Sequence, residues 1–121
     1  MRKDESGRPR CGAQANLLGA RPRVDIYPDA ANNVANRAGG MSVTPDDPAR
    51  LPPHVRPQRL GGIGKLPVFE LETIKLGEKL TYRPDPERPD RHGFVEPRTL
   101  MTFGGYQAAL ASTQPDWREM T

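Results

Sequence analysis

A chain of 121 residues holds enough material for one domain and not for two. Fourteen prolines and twelve glycines, with only 35% hydrophobic residues and a mean hydropathy of -0.74, exclude a bundle of long helices. The formal charge of +3 is unevenly spread, because residues 1–23 carry six basic and two acidic groups and leave the rest of the chain at -1.

That distribution counts against nucleic acid as a partner, since the body of the chain is electrically balanced. The Gly-, Pro- and Arg-rich stretch 1–23 reads as a flexible basic tail or linker, and 24–121 as a single domain. No run of eighteen apolar residues is present and no apolar stretch follows MRKDESGRPR, so neither a membrane span nor a secretory leader is expected. One cysteine, Cys11, is too few for an internal disulfide or a zinc cage.

In chain order, 24–27 is a short extended candidate closed by Pro28, and the Asn- and Ala-rich segment 29–38 predicts one weak helix. Gly39-Gly40 breaks the chain before a short β-type run, Met41-Ser42-Val43. Six prolines between positions 45 and 67 force turn or extended geometry and predict a long loop. The best strand is 68–73, in which Phe69 and Leu71 face one side and Glu70 and Glu72 the other. Gly77 marks a turn before a second strand, 80–83, and 94–96 makes a third that stops at Pro97. Thr102 is a plausible N-cap for a helix whose apolar stripe is Phe103, Tyr106 and Leu110, ending near Thr113, with Trp117 as a lid packed on it. These elements predict an α+β domain: a small, twisted, mainly antiparallel sheet, one C-terminal helix and long proline-rich connections.

The residues able to carry chemistry are few. His54 sits in a proline-rich loop and is expected to face solvent, away from any ligand. His92 stands at the start of the third strand, so His92, Phe94 and Glu96 project to one face, where a histidine and a carboxylate can share a cleft. Ser42 follows a Gly-Gly pair that lets the backbone approach a ligand closely. Glu70 and Glu72 lie on the wet face of the best strand. Gly61-Gly62-Ile63-Gly64-Lys65 has the residues of an anion-binding nest, but Leu66-Pro67 follows where a helix would be needed, and the segment reads as a flexible turn.

The order Gly39-Gly40-Met41-Ser42-Val43, a proline-rich connection, Leu80-Thr81-Tyr82-Arg83-Pro84-Asp85, His92-Gly93-Phe94-Val95-Glu96-Pro97 and Met101 resembles the small bacterial toxins exported by the type VI secretion system, whose fold is similar to ADP-ribosyltransferases. The resemblance covers about residues 39–110 and rests on short motifs. It implies an ADP-ribosyltransferase-like sheet, NAD as substrate and no metal. It also implies a pocket lined by Met41, Ser42 and His92, in which Tyr82 stacks on the nicotinamide and a serine holds a ribose. Glu96, with His92 beside it, then becomes the first choice for the carboxylate that stabilises an oxocarbenium-like transition state, with Glu70 and Glu72 in reserve. A cognate immunity protein and the secretion machinery become the implied partners, and the recipient cell's cytoplasm the implied site of action. The alternative from another class is a non-enzymatic protein-interaction module with a basic tail.

Overall fold

The β-branched and aromatic run around Val95 has a neighbour on either side, and this sets the architecture. In the computed structural model, which describes residues 1–120, β2 (Met41–Val43), β4 (Leu80–Pro84) and β5 (Gly93–Pro97) form an antiparallel sheet with β5 in the middle. Met41 pairs with Val95 and Ser42 with Phe94 on one edge, while Tyr82 pairs with Val95 and Arg83 with Phe94 on the other. Directly paired residues share a face, so Met41, Val95 and Tyr82 point one way and Ser42, Phe94 and Arg83 the other. Pro84 is tolerated because it closes an edge strand, where a missing N–H breaks no ladder.

Two short antiparallel ribbons complete the strands: β1 (Asn33–Val34) with β6 (Met101–Thr102), and β3 (Phe69–Glu70) with β7 (Arg118–Glu119). The helix α1 (Phe103–Ser112) begins as the sequence predicts, with Thr102 Oγ1 accepting the Gly105 N–H at 2.9 Å. Its buried residues Phe103, Tyr106, Ala109 and Leu110 recur at helical spacing and pack with Met41, Leu80 and Val95 in the core. Trp117 donates its indole N–H to Thr113 Oγ1 at 2.9 Å and leans on the same core. The protein is thus a small α+β fold with a few antiparallel strands and one C-terminal helix.

Three sequence expectations give way. Segment 29–38 is a turn followed by β1 rather than a helix. Asp29 Oδ1 takes the N–H groups of Ala31 and Asn33, both at 2.9 Å, and Asn32 and Arg37 adopt left-handed backbone, so local side-chain bonds outcompete helical ones. Segment 24–27 is a tight turn held by Asp25, whose carboxylate accepts the Arg21 N–H at 2.8 Å, and only Ile26 of that run is buried. The run 68–73 contributes just two strand residues before a 3-10 turn, Thr73–Leu76. The proline-rich connection stays irregular apart from two 3-10 turns, Pro48–Arg50 and Gln58–Leu60.

Residues 1–23 are a further departure, because the stretch expected as a flexible tail is packed. Leu18 and Ala20 belong to the core, at 1% and 0% exposure. Gln107 Oε1 accepts the Ala20 N–H at 2.8 Å, Gln114 Nε2 donates to the Pro9 carbonyl at 2.8 Å, and Lys3 pairs with Glu119 at 2.9 Å. The arginines that mark the segment as a tail mostly face water, while Pro9 and the run Leu18, Gly19 and Ala20 are enclosed. Leu18→Ala should therefore cost roughly 2–5 kcal/mol, the usual range for emptying a buried leucine site. Urea denaturation checks this, and a change below about 0.5 kcal/mol would return the segment to the role of a tail.

Candidate functional site

The face of the sheet away from the helix carries a continuous chain of polar and aromatic contacts. His92 Nδ1 and Asp85 Oδ2 are hydrogen-bonded at 2.8 Å, and the backbone closes the same hairpin end through Asp85 N–H to the His92 carbonyl at 3.0 Å. The His92 ring meets Phe94 edge-on with centroids 4.8 Å apart. The Arg83 guanidinium lies 4.6 Å above the Phe94 ring, and its Nε donates to Glu96 Oε2 at 3.0 Å. His92, Phe94 and Glu96 thus share a face, as the strand alternation predicts.

Glu96 is nonetheless a closed-off carboxylate, its side chain only 2% exposed. Oε1 accepts from Asn36 Nδ2 at 3.0 Å, and Oε2 accepts from the Arg37 N–H and from Arg83, each at 3.0 Å. Its oxygens are spent on pinning the 36–37 turn against the sheet, leaving little capacity for a ligand. The hydrogen bond from His92, followed by the Glu87 N–H, holds the Asp85 carboxyl below its ordinary pKa.

A cleft of about 1270 Å³ opens elsewhere, between the sheet, the proline-rich connection and the β3 region. Met41, Ser42 and Tyr82 line it, and so do Glu70, Glu72, Lys65 and Asp46. His54, expected to be remote from any ligand, lines it too. His92 and Glu96 do not, so the five residues assigned to one pocket divide: Met41, Tyr82 and, at the edge strand with its side chain on the opposite face from Met41, Ser42 line the cleft, while His92 and Glu96 lie on the outer face.

Tyr82 is the most unusual of the lining residues. Its ring lies across Gly93, where a Cβ would stand 2.4 Å from Cε1 and the hydroxyl and 2.5 Å from Cζ, so only glycine leaves room for it. The phenol oxygen is buried without a hydrogen-bond partner, and burial, then the nearby Asp46 carboxylate, push its pKa up. The glycine-rich 61–65 segment is no anion nest, because the N–H groups of Gly61, Gly62, Ile63 and Gly64 donate to the carbonyls of Gln58, Pro57, Pro53 and Arg56. Among the described residues no cluster of three or more His, Cys, Asp or Glu side chains could hold a metal, and no helix is long and apolar enough to cross a membrane.

Sequence reasoning passed over Asp85, Asn36 and Arg37. Asp85 had a legible signal, since a hairpin that closes between 80–83 and 94–96 brings positions 85 and 92 opposite each other. Asn36 and Arg37 had none, because their contact with Glu96 spans about sixty residues. No protein family matches the chain, no curated protein matches it, and no solved structure matches it.

Two measurements test these placements. Glu96→Ala strips Arg83 and Asn36 of their acceptor and should cost about 3–5 kcal/mol in urea denaturation, as breaking a buried pair does. Asp85→Asn should lower the melting temperature at pH 7. A carboxyl with a depressed folded-state pKa stabilises above its unfolded value of about 4 and loses that contribution as pH falls, so the gap to wild type should close in acid.

Proposed function

We propose that this chain is an antibacterial toxin that binds NAD in the cleft and breaks its nicotinamide–ribose bond, passing the ADP-ribose to water or to an acceptor. The observation that carries the reading is the cleft itself. Its volume exceeds the roughly 300–1,000 Å³ of ordinary ligand sites, and it brings Met41, Ser42 and Tyr82 together with two carboxylates, Glu70 and Glu72. The resemblance to exported toxins with an ADP-ribosyltransferase-like fold supports the same substrate.

In this reaction the C1′–N bond breaks, nicotinamide leaves with the electron pair, and positive charge develops on the ribose before a nucleophile attacks C1′. The chain must orient the dinucleotide and place a negative charge near that carbon. Ser42, on the edge strand β2, holds a ribose hydroxyl that reaches over the strand edge, and Glu70 or Glu72 supplies the carboxylate, because the Glu96 oxygens are engaged by Asn36, Arg37 and Arg83. His92, tied to Asp85, supports β5 from the outer face. A toxin of this kind needs a cognate immunity protein in its producer, and export by secretion machinery delivers it to a recipient's cytoplasm.

A second reading is an interaction module without catalysis, favoured by the apolar side chains of Ile63 and Ile74, which are 70% and 82% exposed.

Nicotinamide release from NAD by the purified chain, followed chromatographically beside growth of bacteria expressing it, decides between them. The wild type should release nicotinamide and arrest growth. Ser42→Ala and the double change Glu70→Gln with Glu72→Gln should each reduce the rate by about 10²-fold, and His92→Ala should retain it at unchanged fold. Release abolished by His92→Ala but untouched by the Glu70 and Glu72 changes would move the chemistry to the outer face. No release and no growth arrest from the wild type would leave the interaction module as the reading.

A further inference from the structure

We infer that the free edge of β2, which meets the cleft at Ser42, is a docking site for an extended peptide segment of a partner protein, one that adds as a further strand and carries basic residues between apolar ones. The inference does not need the cleft to hold a dinucleotide.

The edge is a ladder that stops short. Tyr27 N–H donates to the Ala38 carbonyl at 2.9 Å and Gly40 N–H to the Asp25 carbonyl at 2.8 Å, with Ile26 bridged to Gly39 between them. Residues 25–27 thus run antiparallel along the outer side of 38–40. The next rung falls on Ser42, and in the same register its partner would be Arg23. Arg23 has a left-handed backbone and its N–H turns back to the Ile26 carbonyl at 2.7 Å, so the covering chain leaves before that rung is made.

The central strand does not take the rung either. Asp85 N–H bonds the His92 carbonyl at 3.0 Å and Arg98 N–H bonds the Lys79 carbonyl at 2.9 Å, so alternation turns the backbone groups of His92, Phe94 and Glu96 toward β4. Those of Gly93 and Val95 turn toward β2, where they meet Val43 and Met41. The Ser42 N–H and C=O therefore point outward, and no other described residue bonds them. The whole run from Met41 to Asp46 lines the cleft, and Ser42 reaches it through its backbone although its side chain is on the other face. The far edge of the sheet is defended by contrast. On β4, Arg98 donates to the carbonyls of Leu80 at 3.2 Å and Glu78 at 3.0 Å, and Pro84 offers no N–H.

Charge selects the partner. Asp46, Glu70 and Glu72 line the cleft without an ion pair, while Arg21 is tied to Asp25 and Lys65 is left as the one unpaired lysine or arginine among the described residues of its walls. A strand bearing lysine or arginine answers these carboxylates, and the apolar residues between them meet Val43, Ile63 and Leu71 on the same walls.

The test uses the whole chain and a seven-residue peptide alternating lysine and valine, with calorimetric titration and amide hydrogen exchange. In the free protein the Ser42 amide should exchange fast and the Val95 amide slowly, and saturating peptide should slow Ser42 about tenfold or more. Methylating every backbone nitrogen of the peptide should weaken binding about tenfold, and the same peptide with glutamate for lysine should not bind. Ser42→Pro removes the N–H at an edge position and should also weaken binding about tenfold, while Ser42→Ala keeps the N–H and should bind as the wild type does. Ser42→Ala lowers nicotinamide release under the dinucleotide reading, so the two readings fail separately. Should Ser42→Pro melt early, the methylated peptide on the wild-type protein decides. A slow Ser42 amide in the free monomer would show the rung already filled and overturn the inference. So would undiminished binding of the methylated or glutamate peptide, no binding of the lysine peptide, or protection of Ser42 that rises with protein concentration alone, which would make a second copy the occupant.

Discussion

One phenol holds helix and sheet together. Tyr106 is fully enclosed, donates its hydroxyl proton to the Val95 carbonyl and accepts the Met41 N–H at 2.9 Å. A single oxygen on α1 thereby fastens the central strand and one edge strand. Burial drives its pKa well above the ordinary phenol value, which keeps it a neutral donor at any physiological pH. The Gly-Gly pair before Met41 follows from this fastening. A Cβ at position 40 would stand 2.4 Å from the same Val95 oxygen, and Gly39 has a φ of 102° with Asp25 backbone 2.3 Å from where its Cβ would be. Ser42 therefore follows two glycines because the chain passes tightly over β5, and close approach to a ligand is not required to explain them.

Glu96 is the counterpart on the other side of the sheet. There a buried carboxylate, rather than a phenol, gathers a guanidinium, an amide and a backbone N–H from β4 and the 36–37 turn. The two centres sit on adjacent residues of β5, and strand alternation sends them to opposite faces. Between them they fix β2, β4, the 36–37 turn and α1 on one short strand. This explains how a chain so poor in apolar side chains closes around a core of about a dozen buried hydrophobic residues.

What the sequence makes legible is what local rules decide. Strand alternation finds β4 and β5 and puts His92, Phe94 and Glu96 on one face, and the cap at Thr102 with the Phe103, Tyr106, Leu110 stripe finds the helix. What escapes is decided by distant partners. Leu18 reads as part of a tail because it lies in a Gly-, Pro- and Arg-rich stretch, and it is buried because that stretch joins the core and is held by residues far along the chain, Gln107 bonding Ala20 and Gln114 bonding Pro9. Segment 29–38 misleads for a different reason, since Asp29 and two left-handed residues override a weak helical composition. The candidate site divides because alternation says which residues share a face and not which face a cleft lies on. Glu96 reads from the pattern as a cleft carboxylate beside His92 and is closed off when the 36–37 turn folds across it.

The cleft itself follows from lengths. The ten residues of α1 span about 15 Å, and its buried stripe reaches Met41, Val95 and Leu80. The far ends of the same strands, at Val43, Gly93 and Pro84, lie beyond that stripe. The connection that roofs this end carries six prolines between positions 45 and 67, each without the N–H that a further strand or helix would use. It folds instead into two isolated 3-10 turns, which cannot close over the sheet as a regular layer would. A short helix and a roof of prolines leave a partly apolar sheet end uncovered beside Glu70 and Glu72, and that uncovered end is the cleft.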